Sequence, residues 1–262
     1  YESQRTREEL QLIAKNINKV DELIVTDLNF GMYKQDMGTA KEIANIQKNY
    51  NYPISVDAPA GKNMPKRIIN IASIMKGWSM GGVIQSSDPD VLKAIKRSNI
   101  SISAYQDLID FGNKQKTNRT YTEIILGLPS DTKERHFESL RLGVEKNVNN
   151  LRMHQAMLLT GTEMASKRDR EKYGLVTKFR TLPGNVGNYN ILNEEHPVAE
   201  IEEIVVGSNT LSMNDYVECR IMNLIIKTFY NNNIFNEIHS MQRAMGISPF
   251  DCLVYMKDHE EM

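Results

Sequence analysis

Short runs rich in Val, Ile and Leu alternate with stretches of helical periodicity about five times along this chain, at intervals of roughly 25–40 residues. No other feature constrains the fold as strongly. A parallel neighbour is reached only through a crossover, usually a helix, so alternation of this kind builds a parallel sheet with right-handed connections. The strands read as residues 23–26, 53–56, 82–85, 122–126 and 151–159, and the helices as 4–19, 36–49, 64–76, 88–96, 101–114 and 131–146. Leu10, Ile13 and Ile17 share one face of the first helix. Asp88-Pro89 supplies an N-cap followed by proline at the first helical position. The expected architecture is α/β, with at least five parallel strands and helices on the outer face. An open doubly wound sheet and a (β/α) barrel both satisfy the pattern, and in both the chemistry sits at the C-terminal strand ends.

Composition narrows the class. A chain of 262 residues holds one large domain, or a domain with an extension. Lys+Arg (32) and Asp+Glu (33) nearly cancel, which gives no reason to expect a nucleic-acid or anionic-membrane partner. No apolar run approaches the ~20 residues of a membrane span, and the charged first residues do not read as a secretory signal. Cys219 and Cys252 are too few for a disulfide framework, so a reducing, cytoplasmic compartment is expected. The 14 methionines read as core filler.

The residues after each strand are polar. The first strand is followed by Asp27-Leu-Asn29-Phe-Gly31, the second by Asp57 and Gly61-Lys62-Asn63, and the third ends in Gln85-Ser86-Ser87-Asp88. The fourth opens with Glu123 and leads through Ile125 to Gly127-Leu-Pro129-Ser130-Asp131-Thr132; the fifth carries His154, Gln155 and Met157. Taken singly these are turn and cap residues, His154 reads as a core histidine, and Gly61-Lys62 lacks the glycine spacing of a phosphate loop. Five polar tips at one end of a sheet point instead to a shared site.

Three of these motifs, Asp27-Leu-Asn-Phe-Gly31, Gln85-Ser-Ser-Asp-Pro-Asp-Val-Leu-Lys-Ala-Ile-Lys-Arg97 and Glu123-Ile-Ile-Leu-Gly-Leu-Pro-Ser-Asp-Thr132, resemble the second, fourth and fifth strand motifs of radical S-adenosylmethionine (SAM) enzymes. Met157-Leu-Leu-Thr-Gly-Thr-Glu-Met164 and the run from Lys172 to Pro183 are similar to the members that carry a cobalamin-binding domain upstream. The resemblance implies a partial (β/α)6 barrel missing its first strand, with S-adenosylmethionine and a 4Fe–4S cluster as cofactors and cobalamin through the upstream domain. It also implies a small-molecule substrate and an electron donor as partners. The implied chemistry is radical-based modification or methyl transfer. Asp27 and Asn29 would face the methionine amine, and Gln85 and Ser86 the ribose hydroxyls or the carboxylate. Arg97 would pair with the carboxylate if it points inward, and is otherwise a surface charge. Glu123 opens the fourth strand motif, Ile125 and Gly127 would give adenine an apolar wall and open backbone, and Gln155 and Met157 would line the adenine or substrate side.

The sequence departs from that family in two places. It has no Cys-x3-Cys-x2-Cys, and Ser130-Asp131 stands where related barrels often have Gly-Glu. With no initiator Met and a helix from its first residues, the chain is expected to be a piece of a longer enzyme whose cluster loop lies upstream of Tyr1. The alternative is a cluster-less barrel that binds a nucleotide or phosphate ligand or serves as a scaffold. Residues 1–176 form the expected partial barrel and 177–262 a mainly helical extension. In that extension 179–190 read as turn-rich, 200–206 as a strand or a helix start, and 213–231, 234–245 and 248–257 as helices.

Overall fold

The computed structural model describes residues 3–61, 64–114, 120–231 and 234–259. Lys62, Asn63, Asn232 and Asn233, which the sequence reading placed in a strand tip and a helix break, lie outside them. The first half alternates as expected: α1 (Ser3–Asn16), β1 (Glu22–Ile24), α2 (Asp36–Tyr50), β2 (Ser55–Asp57), α3 (Pro65–Ala72), β3 (Met80–Gly81), α4 (Pro89–Ala94) and α5 (Ile102–Lys114). It continues through β4 (Thr120–Leu126), α6 (Lys133–Glu145), β5 (Asn150–Gln155) and α7 (Lys167–Tyr173). β1 and β2 pair in parallel, and β3, β4 and β5 form a second parallel sheet in that order. A parallel bridge from Val56 to Trp78, just before β3, joins the two. The third strand is shorter than expected. It pairs at Met80 and Gly81, with Gly82 still bonded to Tyr121 and Thr122, breaks at Val83 and Ile84, and meets β4 again where Gln85 bridges Ile124.

The glycines at the paired residues have a steric cause. A Cβ on Gly81 would sit 2.2 Å from the Tyr121 ring, and one on Gly82 2.4 Å from the Tyr105 ring. Both aromatic rings are buried, so the chain passes between them only as bare backbone.

Two apolar clusters hold the layers together. Ile43 and Ile46 of α2 and Ile68 and Ile71 of α3 pack on Val56 and Trp78. Ile124 of β4 and Leu151 of β5 pack on Leu140 and Val144 of α6 and on the C-terminal helices through Met222, Ile226, Phe250 and Leu253. Each such fully buried side chain contributes roughly 1.5–3 kcal/mol relative to exposure. Caps fix the helix starts: Asp88 Oδ1 accepts from the Asp90 and Val91 amides at 2.9 and 3.0 Å, and Thr132 Oγ1 from the Arg135 amide at 3.2 Å.

The C-terminal part corrects the expectation of a mainly helical extension. It opens with an antiparallel hairpin, β6 (Val176–Ile191) and β7 (Glu194–Gly207), before α8 (Met213–Phe229), α9 (Asn236–Ala244) and α10 (Pro249–Asp258). Leu192 and Asn193 form its two-residue turn with φ of 55° and 66°, a turn usually signalled by Asn-Gly. A register shift between Thr181 and Val186 accommodates the Pro-Gly pair. The base of β7 continues the second sheet, with Leu158 N donating to Glu203 O and Val205 N to Ala156 O, both at 2.9 Å. Among the described residues no helix is long and apolar enough to cross a membrane.

Gly81→Ala forces the buried Tyr121 ring to move and is expected to cost on the order of 1–3 kcal/mol. Urea unfolding followed by circular dichroism measures this, and an unchanged midpoint would show that the ring is free to yield.

Candidate functional site

Tight turns hold the strand ends. Gly127 adopts φ +84° and Ser130 φ +67°, and the Asp131 amide closes the turn onto Leu128 O at 3.0 Å. Ser130 thus occupies a left-handed position where glycine is cheap, which accounts for the Gly of related barrels there. Arg135 of α6 ties this turn to the neighbouring one: Nη1 donates to Ser130 O at 2.6 Å, Nη2 meets Asp90 at 2.8 Å and Nε meets Asp88 at 3.2 Å. Beneath the turn Asp131 is buried, and its carboxylate accepts from the Gly127 and Thr132 amides at 3.3 and 3.0 Å. Burial outweighs those two donors and pushes its pKa up to about 7.

Two cavities open at these strand ends and share Ile125, Leu128 and Met164 as a common wall. The smaller, about 310 Å³, runs past Gln85, Arg97 and Pro129. The larger, about 490 Å³, is lined by His154, Gln155, Met157, Arg180 and Arg220 among others. Both volumes fall in the range of small-molecule sites. In the smaller cavity Gln85 stands in the left-handed region (φ +58°), and its buried Oε1 has no hydrogen-bond partner among the described residues. Arg97 is exposed at the rim and its guanidinium makes no ion pair among the described residues. It belongs to the lining of that cavity and is solvent-exposed, so both options of the sequence reading, inward and surface charge, stay open. Nearby, Glu163 is held well below the usual carboxylate range by Lys96 at 2.6 Å and by Arg168 at 2.9 Å.

The sequence-derived site residues divide. Gln85, Arg97 and Ile125 line the smaller cavity; Ile125, Gln155 and Met157 line the larger. The other five line neither. Asp27 borders a separate cavity of about 240 Å³ between the β1 tip and the first two helices, with Thr6, Gln35 and Asp36. Its Oδ1 accepts from the Asn29 amide at 2.9 Å, an Asx turn that shapes the loop. Ser86 is buried and its hydroxyl accepts from the Asp88 amide at 3.2 Å, inside the α4 cap. Glu123 faces Arg152 of β5 at 3.6 Å, below the cavities. Gly127 lies under Val205 of β7, whose carbonyl oxygen would be 3.3 Å from an added Cβ, so its backbone is covered. Gln155 leans to the helix side: it donates to the Tyr216 hydroxyl and accepts from Arg180.

Sequence reasoning missed Arg180 and Arg220 and took His154 for a core residue; it is exposed on the cavity side of β5. Its register partner is Ile125, which already pointed to that face. No group of three or more His, Cys, Asp or Glu that could hold a metal occurs among the described residues. Cys219 is buried on α8, with burial pushing its thiol up to about 12, and Cys252 sits on α10. They do not fit the three neighbouring thiolates that a 4Fe–4S cluster needs.

No family model matches the chain. The cobalamin-dependent radical SAM methyltransferase TokK of Streptomyces tokunonensis is 29% identical to it over 227 residues, 83% of this chain and 32% of that protein. The 2-(S-pantetheinyl)-carbapenam-3-carboxylate methyltransferase of Streptantibioticus cattleyicolor is 27% identical over 231 residues, 84% of this chain and 32% of that protein. Among solved structures, the radical S-adenosylmethionine methyltransferase TsrM of Kitasatospora setae, with cobalamin and a 4Fe–4S cluster bound, aligns with a TM-score of 0.48 at 13% identity. That alignment covers 74% of this chain and 35% of the other. The chain is thus similar in sequence to a cobalamin-dependent radical SAM methyltransferase, as its strand-tip motifs indicated, and it spans 32% of the length of the two curated relatives named.

Asp131 sets a pH dependence whose sign is fixed. The unfolded carboxyl releases its proton near the ordinary aspartate value of 3.8 and the folded one near 7, so between these the folded state holds more protons. Stability is therefore expected to fall as pH rises from about 4 to 7, by on the order of 2–4 kcal/mol from this group. In Asp131→Asn the Gly127 amide loses an acceptor, so the variant starts less stable at pH 5. From pH 5 to 8 its urea midpoint should drop less than the parent's, and equal drops in the two proteins would contradict the assignment.

Proposed function

We propose that this chain is the S-adenosylmethionine-binding part of a radical enzyme, and that its strands form a partial (β/α)6 barrel lacking the first strand. β1 pairs only with β2 among the described residues, and its Ile24 is 63% exposed, which supports a further strand beside it. The full enzyme would modify or methylate a small molecule, since both relatives named above are methyltransferases. Cluster and cobalamin would be held by residues outside this chain.

One observation carries the reading: the buried Gln85 Oε1 on a left-handed backbone, without a partner among the described residues, in the wall of a cavity that Arg97, also without an ion pair among them, helps to line. A buried acceptor without a partner costs about 1–3 kcal/mol, and strained backbone of this kind concentrates at ligand sites. S-adenosylmethionine fits both features. Its ribose hydroxyls or amine would donate to Gln85 Oε1, and its carboxylate would take the fork of Arg97. Ile125 and Leu128 would give adenine an apolar face. When bound, the sulfonium supplies an activated carbon–sulfur bond; this chain's residues orient it toward the larger cavity across their common wall.

Titration calorimetry with S-adenosylmethionine should show one site per chain, weakened about tenfold or more in Gln85→Leu and in Arg97→Gln. Full affinity in both variants would remove the site from this cavity. Anaerobic reconstitution of the same chain should leave it without a stoichiometric four-iron cluster, and four irons per chain would contradict the ligand count.

A further inference from the structure

Resting on that reading of the paired cavities, we infer that the substrate held in the larger one is an apolar molecule bearing a single carboxylate, and that Arg220 of α8 binds it. The walls of this cavity include Met153, Met157, Leu159 and Met164, and among the described residues no acidic one lines it. Met157 and Leu159 are 39% and 58% exposed, apolar surface that a ligand would cover. Two guanidiniums reach the cavity. Arg180 is committed, to Glu202 and to Gln155. Arg220 is exposed and has neither a hydrogen bond nor an ion pair through its side chain among the described residues. It lies one turn beyond Tyr216, whose hydroxyl is fixed by Gln155, so α8 presents it beside the tip of β5.

The electrostatics point to an anion. A cation beside methionine-lined walls, with no acidic residue lining them among the described residues, attracts negative charge more strongly than one surrounded by counter-charges. One free planar fork matches the two oxygens of a carboxylate. A phosphate would present three oxygens and up to two charges, and among the described residues the cavity offers no second uncommitted guanidinium to meet them. The apolar walls then set the rest of the molecule.

The test uses 4-phenylbutyrate and its neutral isostere 4-phenylbutyramide as probes, titrated into the full chain and followed by saturation-transfer NMR, with S-adenosylmethionine titrated in parallel. The acid is expected to bind about 10- to 100-fold more tightly than the amide. Arg220→Gln should bring the acid down to the affinity of the amide, and Arg220→Lys should leave an intermediate value. Inorganic phosphate at the same concentration should not displace the acid. Equal binding of acid and amide, an undiminished acid in Arg220→Gln, or displacement by phosphate would each overturn the inference. If S-adenosylmethionine binds and the acid does not, this inference alone fails; if neither binds, the reading of the paired cavities fails with it.

Discussion

The parallel ladder between β4 and β5, running from Tyr121 opposite Asn150 to Leu126 opposite Gln155, decides which side chains reach solvent-filled space and which reach the helices. On β4, Ile124 packs against α6, and Leu126 against Tyr216 and Cys219 of α8. The alternate residues Tyr121, Glu123 and Ile125 turn the other way, and their partners Arg152 and His154 turn with them. Arg152 lies 4.0 Å over the Tyr121 ring and 3.6 Å from Glu123, which fills the lower part of that face. The cavities begin only above it, at Ile125. A slip of one residue would bury Glu123 among α6 and α8 and expose Ile124 and Leu126, so the hydrophobic core and the site are specified by one register.

That dependence explains what could be read from sequence. Helices with one buried face, such as α2 with Ile43 and Ile46 or α3 with Ile68 and Ile71, write their packing into their spacing. The hairpin does not. Along β7 the eight residues from Glu194 to Ile201 include no buried one, so no face is selected and no period of two appears. Its turn is Leu192-Asn193, without the glycine that usually marks such a connection. The chain there looked like loop because the forces that pattern a strand are absent until β7 reaches the sheet at Ile204, Val205 and Val206. β3 was misplaced for a related reason. Its apolar run at Val83 and Ile84 follows the paired residues, since pairing goes to the glycines that fit between two rings.

The site was legible where the strand tip itself supplies the group. Gln85, Arg97 and Ile125 come together because the third and fourth strands are neighbours and α4 folds back over the end of the third. Gln155 follows strand parity instead: its register partner is Leu126, a helix-facing residue, and so it meets Tyr216. The same parity, applied to the sequence, would have moved attention from Gln155 to His154. Arg180 and Arg220 come from the hairpin and from α8, elements whose placement against β5 is set by tertiary packing. Tyr216 and Cys219 mark the buried face of α8, but only the contact with Leu126 shows which strand that face meets.

Two non-glycine residues at the strand ends sit in the left-handed region, and they carry different information. Ser130 adopts φ +67° inside a turn closed by its neighbours, and the bonds that hold the turn, to the Leu128 carbonyl and from Arg135 to the Ser130 carbonyl, are backbone features that glycine would keep. The serine side chain adds strain without a hydrogen bond among the described residues. Gln85 adopts φ +58°, but its backbone amide and carbonyl are already paired with Glu123 and Ile125, and its side-chain Oε1 is buried in the wall of the cavity without a partner among the described residues. Glycine there would relieve the backbone and also remove an acceptor that the fold leaves buried and unused. A left-handed backbone and an acceptor without a partner among the described residues both work against the free protein, and a bound donor would offset the second. That conjunction separates Gln85 from the turn residues around it.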